Sequence, residues 1–360
     1  MVFVARALAD PIGFLGDLTP PLILDEIQHA SELLSYVKTA IDEDRRPGRY
    51  FLTGSQSLAL MHGVSQSLAG RVAVLTLLPF GLEELWGGRV QSIDALLARL
   101  FAAPGTHVSK RQGGRPNLGD WLLRGAYPEP RAHPRVDREL WCSSYIQTYL
   151  ERDVRALLNV GDLNAFDRFL RLCAARTTQI LNLADLARDT GVSMPTARRW
   201  LSVLEASHEV FLLPPYFANY GKRLIKAPKL YFLDTALAAY LMGIRTLDGV
   251  LQGPAAGPLF ETAVVTAFRK AFCHRGLSPS MYYWRSSDGL EIDLLVERDQ
   301  RLYPVEIKST ATVTPGHAAS LRKWLDLSGA GDAGRGIIAA KVDAPLAVAP
   351  GIRAVPWDSI

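Results

Sequence analysis

The strongest early constraint on this chain is the stretch PLILDEIQ, residues 21–28. Its apolar run Leu22-Ile23-Leu24 ends abruptly in two carboxylates, Asp25 and Glu26. A short unbroken apolar run suits a strand covered on both faces, as in a parallel sheet. Such strands open at their carboxyl ends onto ligand crevices. The pattern predicts a buried parallel strand with both acids at the crevice end. Ser31 is placed to cap a following helix, in which Leu33, Leu34, Val37, Ala40 and Ile41 recur at helical spacing. After a turn at residues 46–48, Tyr50-Phe51-Leu52 is a second apolar run, and it ends in Thr53-Gly54-Ser55-Gln56-Ser57. Strand, helix and strand make a βαβ unit. A third strand is predicted at Val72–Leu78, directly after Gly70-Arg71.

With 360 residues the chain is long enough for two or three domains. Being 48% hydrophobic and 21% charged, it reads as globular. No apolar run reaches the roughly 18 residues of a membrane span, and the first residues lack the pattern of a signal peptide. The three cysteines, Cys142, Cys173 and Cys273, are odd in number, far apart and without metal-ligand spacing. This predicts a reduced, cytoplasmic protein with no membrane partner. The net charge of +4 is mild, but residues 181–230 hold seven basic and four acidic side chains, most of the excess.

The middle of the chain reads as a linker and then helices. Residues 102–119 are rich in Pro, Gly and basic side chains, as an exposed linker would be. Residues 137–158 predict a long helix with Leu140, Trp141, Tyr145, Ile146, Tyr149, Val154 and Leu157 on one face. A helix-turn-helix pattern follows. Leu183–Thr190 is a short helix, Gly191 a turn, and Ser193 caps a second helix over 194–206, with Pro195 in its first turn. Arg198 and Arg199 fall on the outer face of that second helix, where a recognition helix meets nucleic acid. Residues 209–233 read as two strands with a basic connection, a wing in which Lys222, Arg223 and Lys226 suit contacts to a DNA backbone. The same segment also serves as a protein-contact module, and sequence leaves both open.

Beyond the break at residues 253–257, a helix carries Glu261. Three strand-like runs follow at 281–285, 291–297 and 302–308, with hairpin turns at Ser287-Asp288-Gly289 and Asp299-Gln300. Asp293 lies near the start of the second run. Glu306 and Lys308, two apart, share one face of the third, while Val305 and Ile307 face the core. Glu261, Asp293, Glu306 and Lys308 resemble the constellation of PD-(D/E)xK nucleases. There, two carboxylates such as Asp293 and Glu306 hold Mg²⁺, a lysine positions or deprotonates a water, and the helix acid supports the metal through water. The simpler alternative is a hairpin with a Glu–Lys pair.

Three stretches, LILDEIQ, FLTGSQS and SLAGRV…PF, resemble in order and spacing the bacterial and archaeal AAA-type ATPases that carry a C-terminal domain of unknown function. The segments LLRGAYPEP (122–130) and YLERDVRAL (149–157) are similar to that family too. The resemblance implies ATP and Mg²⁺ as cofactors. It casts Asp25 as a metal-holding acid and Glu26 as the acid that polarises water. Ser55 or Gln56 would face the γ-phosphate, and Arg71 would reach developing charge. Members of the family begin with a G-x-x-x-x-G-K-[ST] loop, and no such motif occurs in the 360 residues. The expectation is a chain deficient in ATP hydrolysis, or one whose start lies further upstream.

The whole reads as an α/β protein. A partial P-loop NTPase (AAA-type) domain covers 1–100, and a linker and helical connector cover 101–175. A winged helix-turn-helix segment covers 176–250, and a PD-(D/E)xK nuclease-like α/β domain covers 251–360. The expected function is nucleic-acid association with a Mg²⁺-dependent nuclease-like C-terminal site. A non-enzymatic DNA-binding regulator and an active ATPase are the alternatives. DNA is the expected partner, with self-association or assembly with an intact ATPase beside it.

Overall fold

A computed structural model of the chain describes residues 2–54, 67–86, 91–102, 115–149, 162–217, 226–327 and 334–360. The chain divides into two compact units, Met1–Val74 and Leu75–Ile360.

In the first unit, β1 (Leu22–Leu24) pairs in parallel with β2 (Tyr50–Leu52), Leu22 opposite Tyr50 and Leu24 opposite Leu52. Helix α1 (Leu33–Glu43) is the crossover between them, and its Leu33, Leu34 and Val37 are buried against Leu24, Ile27 and Leu68. The βαβ unit is therefore present, with three departures. The strands are covered on one face only: paired neighbours Ile23 and Phe51 are 73% and 53% exposed. A three-residue run cannot reveal how many faces it buries. Ser31 does not cap α1; it ends a preceding 3-10 turn, and Glu32 stands at the cap position without a side-chain bond. Residues 72–78 pair with no strand, and Leu75 and Leu77 are exposed. An apolar run becomes a strand only where an edge accepts it.

The second unit has a continuous apolar core from Leu78 to Ile360. Helix α2 (Arg138–Tyr149) buries Cys142, Ile146 and Tyr149, while Leu140, expected on the apolar face, is exposed. The rest of the helix expected over 137–158, residues 150–158 with Val154 and Leu157, lies outside the described residues. Helix α3 (Leu163–Ala175) supplies Phe166 and Phe169, which meet Trp200 edge-on at ring distances of 5.2 and 5.5 Å. Helix α4 (Leu183–Thr190) ends at Gly191, whose φ of 81° is the left-handed turn that glycine adopts freely. Helix α5 (Met194–Ala206) begins where the Ser193 hydroxyl accepts from the Thr196 amide. Strands β3 (Val210–Leu213) and β4 (Lys229–Phe232) pair antiparallel, and every residue of β4 is buried. Asp234 then caps helix α6 (Thr235–Leu241) and also accepts the amide of Ala126 at 2.7 Å.

Helix α7 (Ala256–Cys273) leads into a six-stranded sheet of order β5-β6-β7-β8-β10-β9. Strands β5 (Met281–Arg285), β6 (Glu291–Arg298) and β7 (Arg301–Lys308) form an antiparallel meander, as their turn residues predict. Asp299 and Gln300 both take positive φ, the geometry of a two-residue hairpin turn. Helix α8 (Ala319–Leu327) crosses over to β8 (Gly336–Ala340), parallel to β7. Strands β9 (Leu346–Ala349) and β10 (Ile352–Pro356) complete the sheet. One face packs Val305 and Ile307 with Phe260 and Val264 of α7. The other packs Ile292, Leu295 and Ile338 with Leu321 and Trp324 of α8. Among the described residues no helix is long and apolar enough to cross a membrane.

Candidate functional site

The expected C-terminal residues come together around a fault in the sheet. Between β5 and β6 the register passes from Trp284 opposite Ile292 to Tyr282 opposite Leu295. Asp293 and Leu294 together oppose one residue, which is a β-bulge, the device that re-aims a side chain. Asp293 Oδ2 accepts the Ile307 amide of β7 at 2.8 Å. Two residues beyond Glu306 on β7, Lys308 places Nζ 2.6 Å from Glu306 Oε1 and 4.0 Å from Asp293 Oδ2. Glu306 is 4% exposed, and its Oε2 is buried with no hydrogen-bond partner.

Glu261 approaches from α7. Its Oε1 accepts the Tyr231 hydroxyl at 2.6 Å and lies 3.5 Å from Lys229 Nζ. Lys229 also lies 2.5 Å from Glu291 Oε1 at the start of β6. Lys229 and Tyr231 are two apart on β4 and so share its face toward α7. Sequence reading counted Lys229 only as part of a basic segment and passed over Tyr231 and Glu291. A signal existed: a lysine heading the otherwise apolar run KLYFL needs a buried partner.

The electrostatics follow from burial. Burial, reinforced by the Asp293 charge, pushes the Glu306 carboxyl up to about 8. Burial pushes Glu261 up to about 7 against the opposing pull of Lys229, with Asp293 again raising it. Asp293 is raised as well, by burial that outweighs Lys308 and Lys229. Burial alone would lower the Lys229 and Lys308 ammonium groups, but the surrounding carboxylates more than offset it and hold both above their ordinary value. Carboxyls that resist ionisation because they are buried beside one another are the ones a cation would re-ionise. The orphaned Oε2 of Glu306 beside Asp293 therefore fits Mg²⁺, which takes one or two carboxylates and keeps several waters. Among the described residues no three His, Cys, Asp or Glu side chains converge into a metal cage.

In the first unit, Asp25 sits exposed at the end of β1 and accepts the hydroxyl of Thr53 at the end of β2. Glu26 is half-buried at a φ of 52° and accepts a bond from the Gln28 side-chain Nε2. Arg71 is held in a two-point pair with Asp42, at 2.7 and 3.0 Å, and this keeps the Asp42 carboxyl below its ordinary value. Ser55 and Gln56 lie outside the described residues.

On the second helix of the helix-turn-helix pair, Arg198 and Arg199 are both exposed, as is Lys226 just ahead of β4. Lys222 and Arg223 lie outside the described residues.

Residues 6–86 match a family model described as an AAA domain. Residues 115–248 and 256–360 each match a domain of unknown function, DUF8612 and DUF4143. The first and last of these matches support an AAA-type, ATPase-like family. Among curated relatives, uncharacterized proteins of Mycobacterium bovis (Mb2031c) and Mycobacterium tuberculosis (Rv2008c) are each 32% identical over 322 residues. The match covers 89% of this chain and 65% of each relative, so the chain spans about two-thirds of their length. No solved structure matches the chain significantly.

Proposed function

We propose that this chain is a nucleic-acid-associated protein of the AAA-type kind whose C-terminal site cleaves phosphodiesters with Mg²⁺. One observation carries the reading: Glu261 of α7, Asp293 of β6 and the Glu306–Lys308 pair of β7 meet around the bulge of β6, with a buried carboxylate oxygen left unbonded. The order of elements supports it, since a helix, a three-stranded meander, a helix and a parallel strand suit a PD-(D/E)xK nuclease-like domain.

Asp293 and Glu306 would hold the cation. When bound, it lowers the pKa of a coordinated water and offsets charge on the phosphate. The Ile307 amide fixes Asp293. Lys308, half-buried, tied to Glu306 and held as an ammonium, would donate a hydrogen bond that positions the attacking water and would offset charge on the phosphate. Tyr231 and Lys229 orient Glu261.

In the first unit, Asp25 beside Thr53 suits a nucleotide-bound Mg²⁺. The 360 residues hold no G-x-x-x-x-G-K-[ST], and this reading assigns no phosphate-binding lysine within them.

The test is cleavage of plasmid and single-stranded DNA with Mg²⁺ or Mn²⁺, comparing wild type with Asp293→Ala. Cleavage that falls to background in the variant is expected. A folded wild type inactive with both metals overturns the cleavage reading. The second reading, a DNA-binding regulator without chemistry, draws on the exposed Arg198 and Arg199. It predicts salt-sensitive DNA affinity that survives Asp293→Ala.

A further inference from the structure

Two lysines divide the four acids of the C-terminal site between them. Lys308 takes Glu306 and Asp293, at 2.6 and 4.0 Å. Lys229 takes Glu291 and Glu261, at 2.5 and 3.5 Å. The pairs are not alike. Lys308 comes from the same strand as Glu306, and its side chain is 36% exposed. Lys229 comes from β4, which lies outside the sheet, and its side chain is 5% exposed. An ammonium so deeply buried has little freedom to leave its partners.

We propose that the centre takes a single divalent cation, between Asp293 and Glu306, and that Lys229 is the positioning residue that enforces this. It stands as a fixed positive charge where a second cation would otherwise be drawn by Glu261 and Glu291. The proposal rests on the reading of Asp293 and Glu306 as a cation site.

Three observations carry it. With all four acids ionised the charge count closes: four carboxylates against two ammonium groups leave two negative charges, the charge of one divalent ion. Arg285 reaches Glu291 only at 3.9 Å from a half-exposed side chain, where solvent screens it. The geometry agrees, since no three carboxylates converge among the described residues. The Tyr231 hydroxyl and the Lys229 ammonium both hold Glu261 by the same oxygen, Oε1, and so anchor it on the β4 side. Finally, of these four acids it is Glu306 whose Oε2 is buried without a partner among the described residues, and it belongs to the half that Lys229 does not serve.

The experiment is a calorimetric titration with Mn²⁺ in an Asp25→Asn background, so that the first unit adds no site. Wild type, Lys229→Met and Lys229→Gln are compared, with near-ultraviolet circular dichroism as the check of fold. Gln keeps a hydrogen-bond donor without the charge, which covers the case where Met does not fold. The expected result is about one equivalent of Mn²⁺ for wild type and about two for the neutral variants. Closely spaced Mn²⁺ ions should also broaden the electron paramagnetic resonance signal in the variants alone. Two equivalents in wild type, or a folded variant still binding one with unchanged affinity, overturns the proposal. The outcomes separate it from the cleavage reading. One equivalent rising to two without DNA cleavage sinks the nuclease and keeps the counter-ion. Metal-dependent cleavage with one equivalent in every variant does the reverse. A wild type that binds no Mn²⁺ removes both.

Discussion

Glu306→Gln should make the second unit less sensitive to alkali. In the folded protein the Glu306 carboxyl is 4% exposed and raised from 4.5 to about 8. As pH climbs through 4.5 the unfolded chain gives up this proton, while the folded chain keeps it until about 8. The folded state therefore binds more protons in that window, and stability falls as pH rises across it. Each pH unit corresponds to about 1.36 kcal/mol, so the interval is worth at most about 5 kcal/mol. Glu261, raised to about 7, adds a loss of the same sign over a shorter interval. Lys229 and Lys308 stay charged throughout and do not alter the slope. Glutamine cannot titrate. Because the Asp293 charge shares the effect, the expected flattening is about 2–5 kcal/mol between pH 5 and 8.5. All seven tryptophans lie in residues 75–360, so their fluorescence during urea unfolding in EDTA reports this unit. Parallel stability profiles for wild type and Glu306→Gln would refute the reasoning.

Three further outcomes are expected. Asp234→Ala strips the acceptor from the amides of Ala126, Ala236 and Leu237, all buried, and should cost about 2–4 kcal/mol by the same urea assay. Gly125→Ala should be at least as harmful, because an added Cβ would lie 2.1 Å from Asp234 Oδ1 on a backbone with φ of 65°. Replacing Arg198 and Arg199 by alanine should weaken DNA binding in a filter assay and reduce its salt slope by about two, with the fold unchanged. An unaltered slope would remove that helix from the DNA surface.

Local chemistry made the meander of β5 to β7 legible. Asp288-Gly289 and Asp299-Gln300 mark its turns, and alternation along β7 puts Val305 and Ile307 in the core. The helix pair around Gly191 was legible for the same reason, since cap, turn and apolar spacing are local signals. Tertiary partnership was not. Nothing in PLILDEIQ says that Ile23 faces solvent, because covering a face depends on elements elsewhere in the chain. Residues 72–78 carry strand-like side chains but meet no edge. The run KLYFL signals that Lys229 needs a partner, but that Glu291, 62 residues on, is that partner emerges only when β4 is laid beside β6.

That last contact bears on how such a chain can be cut, shuffled or inherited. Sequence comparison parses residues 115–248 and 256–360 as two families, as though the seam between them were a joint. The ammonium that neutralises Glu261 and Glu291 lies on the far side of that seam. A fragment beginning at residue 256 would keep Asp293, Glu306 and Lys308 yet leave Glu261 and Glu291 without the lysine they share. Recombination at the seam would thus break a chemical unit, and the two segments should travel through descent as a pair.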